Sequence, residues 1–394
     1  MGSGSGGDGA PPPTGARLVV EHCTRCHTAD GPGSPRLDSV EAIEASRVQI
    51  ARSVSSGQMP PWLPDEAGCV PLLDSRAMTA VDRQTLIAWA ESSQPAGQLK
   101  FPPDPEDAGL GPPDLRLDTG EFLAPLQSPD DGVSCVRFTT APSRPFWIRA
   151  VRMRPEPSNV VHHMNLFATG SAEFDDPDQL EMGCPKTGRP RHVDADIGLH
   201  YVKPLPPGTF AEVAEGDELF LNLHLSTAGL GFPPSEPVPL RVAVDLWLGS
   251  PDLSSPQVQL DLAPPDFTIP AGDPRFVAES RSTFDTALRL TRIMPHMHRF
   301  GTAFQAELVR KDGSRQCLIQ IPKWDFYAHE PYGIASGTEL RVEPGDSVEF
   351  RCIYDNSSQN QPDLGSGVTE PRDVSNGWQV TQEMCVFGIQ GVER

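Results

Sequence analysis

Residues 160–167, VVHHMNLF, place His162 and His163 side by side within an apolar run that is typical of a buried strand. Successive side chains of a regular strand point to opposite faces, so a metal bound by both histidines requires a bulge or a strand end here. Burying two imidazoles without partners would be costly. The pair is therefore either satisfied by separate hydrogen bonds or bound to one common ligand, and the rest of the chain has to distinguish these alternatives.

Length and charge restrict the class of protein. The chain has 394 residues, which is enough for two or three domains with cores of their own. A formal net charge of -21 without any basic run argues against nucleic acid and anionic membrane surfaces as partners. No stretch reaches the roughly 18 consecutive apolar residues of a spanning helix, so we expect a protein that is not integral to a membrane. Residues 1–15, MGSGSGGDGAPPPTG, are predicted to be a flexible leader that contains no apolar export signal.

The cysteine content predicts an oxidising compartment. The eight cysteines are Cys23, Cys26, Cys69, Cys135, Cys184, Cys317, Cys352 and Cys385. This number is high for a reducing cytosol, and we therefore predict an exported protein that is periplasmic, secreted or lipid-anchored at the cell surface.

Apolar spacing divides the chain into regions. Residues 16–97 carry helical spacing, with Thr79 as a helix N-cap, whereas residues 98–119 are Pro-rich and predict a linker. Short β-type runs then alternate with turn residues, and we assign them to two sandwiches, residues 120–262 and 263–394. The predicted fold class is multidomain: a small all-α cytochrome c-like domain followed by two all-β antiparallel jelly-roll-like sandwich domains.

The first region contains a heme-attachment motif. Cys23, Cys26 and His27 form C-x-x-C-H, in which two thiols bond covalently to heme c and the histidine ligates the iron. A redox-active pair or half of a zinc site would also explain C-x-x-C alone. Met59, in SGQMPPW, is the candidate sixth ligand, because a thioether suits an iron that shuttles electrons. The competing interpretation is that Met59 belongs to the core, and His22 is interpreted as incidental.

Further histidines and a methionine occur in the β-type regions. His224 lies in the alternating run ELFLNLHLS, and His296 and His298 are two residues apart in MPHMHRFG, a spacing that puts both on one face of a strand. Met384 lies in TQEMCVFG near the C-terminus. A soft thioether combined with imidazoles suits cuprous copper better than zinc. A single histidine on a β face is more often part of the hydrogen-bonded structure than a metal ligand.

Together these motifs resemble the copper type II, ascorbate-dependent monooxygenases, the family of peptidylglycine alpha-hydroxylating monooxygenase and dopamine beta-monooxygenase. The matching segments are HHM at 162–164, the strand histidine at 224, HMHRFG at 296–301 and EMC at 383–385, in the family's order. The resemblance covers about residues 115–394. It implies that His162, His163 and His224 hold an electron-transfer copper, and that His296, His298 and Met384 hold an oxygen-binding copper. The adjacent histidines would then bind one metal, which requires a local irregularity in their strand.

The resemblance also implies a disulfide between Cys352 and Cys385 that anchors the methionine ligand. Cys135 with Cys184 is a candidate pair, and Cys69 and Cys317 stay unassigned. The remaining histidines, His192, His200 and His329, are assigned to the surface or to pocket lining without a catalytic role.

By resemblance, the function is that of an enzyme, a copper type II monooxygenase that hydroxylates a C–H bond of a small organic substrate with dioxygen. The implied cofactors are two copper ions and heme c, with ascorbate as a possible reductant. A fused heme domain would raise the effective concentration of the electron donor for the three-histidine copper. The expected partners are a small-molecule substrate, dioxygen and an external electron donor.

Substrate recognition departs from the peptide-amidating branch of the family. Met294 and Gly388 stand where that branch has the arginine and the tyrosine that contact a peptide carboxylate. Without a bidentate guanidinium the main contact to a carboxylate is lost, so a neutral or aromatic small molecule is favoured. Arg299 could still reach the pocket, which keeps an anionic substrate open.

Two other classes of protein remain as alternatives. The first is a noncatalytic copper and heme electron-transfer or copper-handling protein, which would show no oxygen uptake coupled to an oxygenated product. The second is a carbohydrate- or partner-binding jelly roll, which would bind no stoichiometric copper.

Overall fold

The protein is described here from a computed structural model. The described residues are 14–24, 26–28, 33–73, 75–101, 110–124, 131–138, 144–170, 191–196, 202–206, 208–226, 237–250, 255–326, 330–361, 370–377 and 381–393. Most of the predicted leader, residues 1–13, lies outside these ranges, whereas Thr14 and Gly15 already belong to the first helix.

Four helices occur in the described part of the chain: α1 Thr14–Cys23, α2 Val40–Ala45, α3 Arg47–Ser55 and α4 Ala80–Glu91. Thr79 caps α4 as predicted, since its hydroxyl accepts a hydrogen bond from the backbone N–H of Asp82 at 3.0 Å. The helices share a small apolar cluster in which Ile43 and Leu86 are fully buried.

The predicted fold class is wrong, because the described part of the chain contains no evident small all-α cytochrome-like domain. Strands predominate in the described ranges, and the longest of the four helices there has 12 residues. Glycine and proline explain the difference: the segments GPGSP at 31–35 and MPPWLPDEAG at 59–68 interrupt the helical spacing after one short helix or two. Local periodicity was present, but it did not extend into long helices.

The strands are β1 Leu115–Asp118, β2 Phe122–Ala124, β3 Asp131–Arg137, β4 Phe146–Glu156, β5 Val161–Gly170, β6 Arg191–Asp196, β7 Lys203–Pro204, β8 Thr209–Val213, β9 Asp217–Ser226, β10 Val238–Leu248, β11 Ser255–Pro256, β12 Val258–Leu262, β13 Thr268–Ile269, β14 Phe276–Thr283, β15 Leu288–His296, β16 Gly301–Val309, β17 Arg315–Ile321, β18 Tyr332–Gly333, β19 Arg341–Val342, β20 Ser347–Tyr354, β21 Val374–Ser375 and β22 Val386–Glu393. Strand β1 lies inside the range predicted as a linker, residues 98–119, because LRLD alternates apolar and polar residues.

The strands form several sheets. Sheet A has the order β1-β10-β4-β8-β11, with β2 on β10 and β7 on β4, and sheet B has the order β3-β9-β5-β6. Sheet C has the order β12-β22-β15-β18, with β19 on β15, and sheet D has the order β14-β20-β16-β17. Strands β13 and β21 pair separately. The pairing of β8 with β11 is parallel, and the other pairings described are antiparallel.

The sheets pack in pairs around apolar cores. Met153 and Val244 of sheet A share one buried cluster with Leu166 and Leu221 of sheet B. In the other pair, Phe387 of sheet C lies 5.5 Å from Phe304 and 5.7 Å from Phe350 of sheet D, measured between ring centroids. Alternation along each strand sends one set of side chains into these cores and leaves the other set on the outer faces.

Polar side chains connect sheet B to sheet C. Asp194 of β6 and Arg292 of β15 form an ion pair of 2.9 Å, with both side chains buried. Next to it, the side-chain amide of Gln390 on β22 donates to Nδ1 of His192 on β6 at 3.4 Å. Since sheet B carries His163 and His224 and sheet C carries His296, these contacts position the two groups of candidate ligands.

The chain divides into two compact units. The first contains the four helices, and the second contains the strands together with residues 63–73. This tethered segment, residues 63–73, is joined to β17 by a disulfide between Cys69 and Cys317. Its backbone amides at Asp65 and Val70 donate to carbonyl groups of β17 at 2.7 and 3.1 Å.

The structure contains disulfides, as expected for a protein in an oxidising compartment. The Cys352–Cys385 bond is confirmed, and Cys135 is also disulfide-bonded. Its candidate partner Cys184 lies outside the described residues. The disulfides and the strand-rich fold are consistent with an exported protein. In the described ranges, no helix combines the length and the apolar character needed to span a membrane.

Candidate metal centres

The adjacent histidines lie at an irregular point of β5. In the pairing of β5 with β9, Val161 is opposite Leu225 and His163 is opposite His224, so His162 is an extra residue between two consecutive partners. The predicted departure from regular alternation is therefore confirmed. A bulge of this kind re-aims a side chain and lets neighbouring residues approach one face. The side chain of His162 is outside the described part of the structure.

His163 and His224 lie close together because they are opposite each other in the pairing of β5 with β9. Their rings lie 4.7 Å apart at 76°, and their Nδ1 atoms are 3.4 Å apart. Two nitrogen ligands that each lie about 2.0 Å from one metal at a tetrahedral angle are separated by about 3.3 Å. The spacing of the two nitrogens therefore fits a shared metal ion without rearrangement.

Burial keeps His224 neutral. Its exposed fraction is 1%, and this burial lowers the pKa of the imidazole to about 4. A metal ligand must be an unprotonated imidazole, so a histidine of this kind loses no proton when it binds a cation at neutral pH.

The second histidine pair lies at the end of β15. This strand ends at His296, so His298 is placed by the segment that follows and not by strand alternation. The two rings are 5.2 Å apart at 85°. The Nδ1–H of His298 donates to the carbonyl oxygen of Gln382 at 2.9 Å, because a carbonyl oxygen can only accept. This hydrogen bond selects the tautomer whose Nε2 carries the lone pair, as in many metal-ligating histidines.

Glu383 organises the segment around His298. Its carboxylate is fully buried and accepts hydrogen bonds from the backbone amides of His298 at 2.9 Å, Phe300 at 2.7 Å and Met384 at 3.2 Å. Burial raises the pKa of this carboxyl to about 8, although the three N–H donors favour its charged form. One side chain thus connects the chain around His298 with the chain around Met384.

Met384 is held on both sides by its neighbours. Its carbonyl oxygen accepts a hydrogen bond of 2.6 Å from the phenol of Tyr354, whose pKa is raised by burial and by the charge of Glu383. The next residue, Cys385, forms the disulfide with Cys352. Val386, which follows, is the register partner of His296. The backbone of Met384 is therefore fixed close to the second histidine pair, with its side chain half-buried.

Phe326 lies between the two pairs. Its ring centroid is 4.9 Å from that of His224 and 5.8 Å from that of His298. The structure thus brings together four of the six predicted copper ligands around one aromatic ring, namely His163, His224, His296 and His298.

The C-x-x-C-H motif lies where α1 ends. Cys23 is the last residue of α1, and the amides of Cys26 and His27 both donate to its carbonyl oxygen, at 3.1 and 3.0 Å. Nδ1–H of His27 donates to the carbonyl oxygen of Pro35 at 2.6 Å, which leaves Nε2 as the nitrogen with the lone pair. Gly33 packs against this ring, since a Cβ there would come within 2.6 Å of it.

The state of the thiols argues against a redox-exchange site. Cys23 and Cys26 are not joined in a disulfide. Burial, with a smaller contribution from Cys26, raises the pKa of the Cys23 thiol to about 12. Exchange cysteines have lowered pKa values, so the raised value of Cys23 is unlike that of an exchange thiol. Met59 packs against the same apolar cluster as Cys23, which is compatible with both predicted roles.

The other histidines keep their structural interpretation or cannot be placed. His192 is buried between sheets B and C, and its Nε2–H donates to the side-chain oxygen of Asn165 at 3.2 Å. It was predicted on the surface or in a pocket lining, and the structure shows a buried link between sheets. His200 and His329 lie outside the described residues.

Met294 and Gly388 lie directly opposite each other in sheet C. A Cβ at Gly388 would be 2.7 Å from Cε of Met294, so the methionine covers the glycine. Met294 and Gly388, which replace the carboxylate-binding residues of the peptide-amidating branch, therefore form one apolar spot. Met294 lies two residues before His296 on β15.

In the described part of the chain, no three His, Cys, Asp or Glu side chains are grouped so that they could hold a metal ion. The predicted sites have other donor sets: one combines two histidines with the thioether of Met384, and the other includes His162. Sequence reasoning did not find Glu383 or Phe326. A carboxylate directly before a candidate ligand in a buried run was a usable signal for Glu383, whereas Phe326 had none.

Comparisons with known proteins do not assign this chain to a family. No family model matches the sequence, and no curated protein matches it. Similar solved structures include a Parabacteroides distasonis protein described as secreted (11% identity, 71% of this chain and 89% of that chain, TM-score 0.17). A second is the infectious bursal disease virus VP2 subviral particle (8% identity, 71% of this chain and 71% of that chain, TM-score 0.19). A third is the PBCV-1 virus capsid (8% identity, 69% of this chain and 93% of that chain, TM-score 0.23). TM-scores this low support no argument about fold or function.

Proposed function

We propose that this protein is a copper-dependent monooxygenase that hydroxylates a C–H bond of a small organic substrate. The observation that supports this most is the convergence of two histidine pairs, His163 with His224 and His296 with His298, each of which contacts the ring of Phe326 through one histidine. One pair lies on sheet B, whereas the other lies at the end of a sheet C strand, so each pair can bind its own ion.

The residues fit copper. His163 and His224 present nitrogens at the separation of two ligands of one ion, and His162 would complete this set. His298 has its Nε2 lone pair free of a proton because Nδ1–H is bound to Gln382. Imidazole with a methionine thioether is a donor set that selects cuprous copper over harder cations.

The reaction requires two electrons in addition to dioxygen. One substrate C–H bond, O2, two electrons and two protons give one C–OH group and one water. Bound copper would supply dioxygen activation and storage of one electron at each site. The protein positions the ligands: Glu383 and the Cys352–Cys385 disulfide hold the segment of Met384, and the hydrogen bonds of Glu383 hold the segment of His298.

A heme c bound through Cys23, Cys26 and His27 is the proposed entry point for electrons. The hydrogen bond from His27 to Pro35 supports a role of His27 as an iron ligand, because it fixes the ring and would leave Nε2 to bind the metal. An external one-electron reductant, of which ascorbate is one candidate, would supply the electrons. The same oxidising environment that forms the disulfides supports a periplasmic, secreted or surface-anchored location.

A neutral or aromatic substrate is proposed from the apolar spot beside His296. Met294 covers Gly388, and neither residue can donate a hydrogen bond from its side chain to a carboxylate. This spot therefore selects against an anion.

Copper analysis followed by a labelled-oxygen screen tests the proposal. The full chain, loaded with copper, should bind two ions, and ¹⁸O from ¹⁸O2 should enter the product of one member of a panel of neutral and aromatic compounds. His224→Ala and His298→Ala should each lose one ion, whereas His22→Asn, a control outside both sites, should lose none. Protein that binds no copper would refute the proposal, and copper binding without any oxygenated product would favour an electron-transfer or copper-handling protein.

A further inference from the structure

Phe326 is part of a continuous row of five rings. Successive centroid distances are 4.7 Å from His163 to His224, 4.9 Å to Phe326, 5.8 Å to His298 and 5.2 Å to His296. The exposed fraction of Phe326 is 6%, so its ring is enclosed. It is the member of the row that no predicted ligand role explains.

The backbone near Phe326 is attached to the His298 side of the row. Trp324 donates its backbone N–H to the carbonyl oxygen of Thr302 at 2.8 Å. Its indole N–H donates to the carbonyl oxygen of His298 at 3.2 Å. Phe326 therefore moves with the segment of His298, while its ring reaches His224 on sheet B.

A rigid ring in contact with two imidazoles limits how far apart they can lie. The centroids of His224 and His298 can lie no farther apart than the sum of their two distances to Phe326. Aromatic contacts of this kind stabilise a defined geometry beyond the area they bury. An aliphatic side chain would fill less of the space and would hold neither imidazole at a defined angle.

We propose that Phe326 is a positioning residue that sets the distance between the two candidate copper sites. This inference rests on the proposed function, because a distance between sites matters only if both bind copper. If both sites held copper, a change in their separation would alter electron transfer between them. Product formation is then expected to lose its coupling to oxygen consumption.

Metal-free protein provides the first test. Histidine ring resonances of His224 and His298, assigned with His→Asn variants, should both shift in Phe326→Leu, because the ring current of Phe326 is removed from both. Phe326→Tyr keeps the ring and should leave both close to their wild-type positions. Phe350→Leu, a matched change in the core between sheets C and D, should shift neither. If Phe326→Leu moves neither resonance, the inference is wrong.

Copper-loaded protein provides the second test. Phe326→Leu should still bind two ions, while the dipolar coupling between the two Cu(II) ions changes and the product formed per O2 falls by up to about a hundredfold. Phe326→Tyr should restore both values. Unchanged dipolar coupling in an active Phe326→Leu enzyme would overturn the inference and leave the proposed function standing. Shifted histidine resonances in a protein that binds no copper would instead overturn the proposed function.

Discussion

Glu383 shows how much one buried carboxylate can determine. It binds the amides of His298, Phe300 and Met384, so it connects two chain segments that are more than 80 residues apart in sequence. A buried donor that loses its acceptor costs about 1–3 kcal/mol, because it can no longer bond to water. The geometry around the second histidine pair therefore depends on a residue that is not itself a candidate ligand.

Glu383→Leu should lower the free energy of unfolding by about 1–3 kcal/mol, because three buried backbone amides lose their acceptor. Urea denaturation of both proteins measures the loss, and Glu279→Leu, at an exposed position, is the control. An unchanged unfolding free energy for Glu383→Leu would show that the three amides find other acceptors.

Asp245 has a similar role in sheet A. It is fully buried, and burial would raise its pKa, but hydrogen bonds from Arg116 and Arg152 and the charge of Arg154 outweigh this and hold the pKa below its ordinary value. The carboxylate thereby joins β1, β10 and β4 at one point.

Asp245→Asn should destabilise the protein by about 3–5 kcal/mol at neutral pH, because it leaves the buried guanidinium group of Arg152 without its counter-charge. A carboxyl with a depressed folded-state pKa stabilises the protein above its unfolded pKa of about 3.9 and loses this contribution as the pH falls through the folded-state value. The difference between wild type and variant should therefore shrink below about pH 4. Unfolding measured from pH 7 to pH 3 tests this.

Asp118→Asn is the control for that experiment. It removes a more exposed ion pair with Arg241, which also bridges β1 and β10. Exposed pairs contribute about 0–1 kcal/mol, so its effect should be small at every pH. Equal losses for the two variants would contradict the assignment of Asp245 as a buried link.

At the scale of elements, chain irregularities position the candidate ligands. The bulge at His162 places His163 opposite His224, and the end of β15 at His296 frees the next residues to turn towards Glu383. Likewise, the tethered segment 63–73 is irregular, yet it pairs with β17 through backbone hydrogen bonds next to the Cys69–Cys317 bond.

A Cys69→Ser, Cys317→Ser variant should release the tethered segment. Hydrogen exchange at the amides of Asp65, Val70 and Leu73 should accelerate, because the disulfide no longer restricts local opening of this segment. Amides of β20, which lies between two neighbours in sheet D, should keep their protection. If the three amides exchange at the wild-type rate, the hydrogen bonds hold the segment without the disulfide.

At the scale of the whole molecule, buried polar contacts between sheets B and C set the relative position of the histidine pairs. The Arg292–Asp194 ion pair is one of these, and both of its side chains are almost fully enclosed. Removing one partner of such a pair leaves an uncompensated buried charge, whereas removing both does not.

Arg292→Met alone should therefore destabilise the protein by about 3–5 kcal/mol, and Arg292→Met with Asp194→Leu should recover much of that loss. Chemical denaturation of wild type, both single variants and the double variant completes the cycle. Additive losses would mean that the two side chains do not interact. The separation of the histidine pairs, read from the dipolar coupling proposed above, should change in the single variants.

Several features were predictable because they depend on neighbours in sequence. The apolar run VVHHMNLF predicted a strand, and Thr79 was recognisable as a cap. The irregularity at the two histidines was implied by the family resemblance. The Cys352–Cys385 bond followed from the family resemblance. The cytochrome-like fold class was not predictable in this way, since helical spacing over short windows does not show whether the helices are long enough to form such a domain.

The sequence by itself determined which side chains can carry metal and heme chemistry, because donor atoms and the C-x-x-C-H spacing are properties of a few adjacent residues. Only the tertiary structure decided which of these residues meet. The pairing of His163 with His224, the three amides on Glu383 and the position of Phe326 between two sheets all join residues that are distant in the chain. Such contacts depend on register and packing between sheets, which no local pattern encodes.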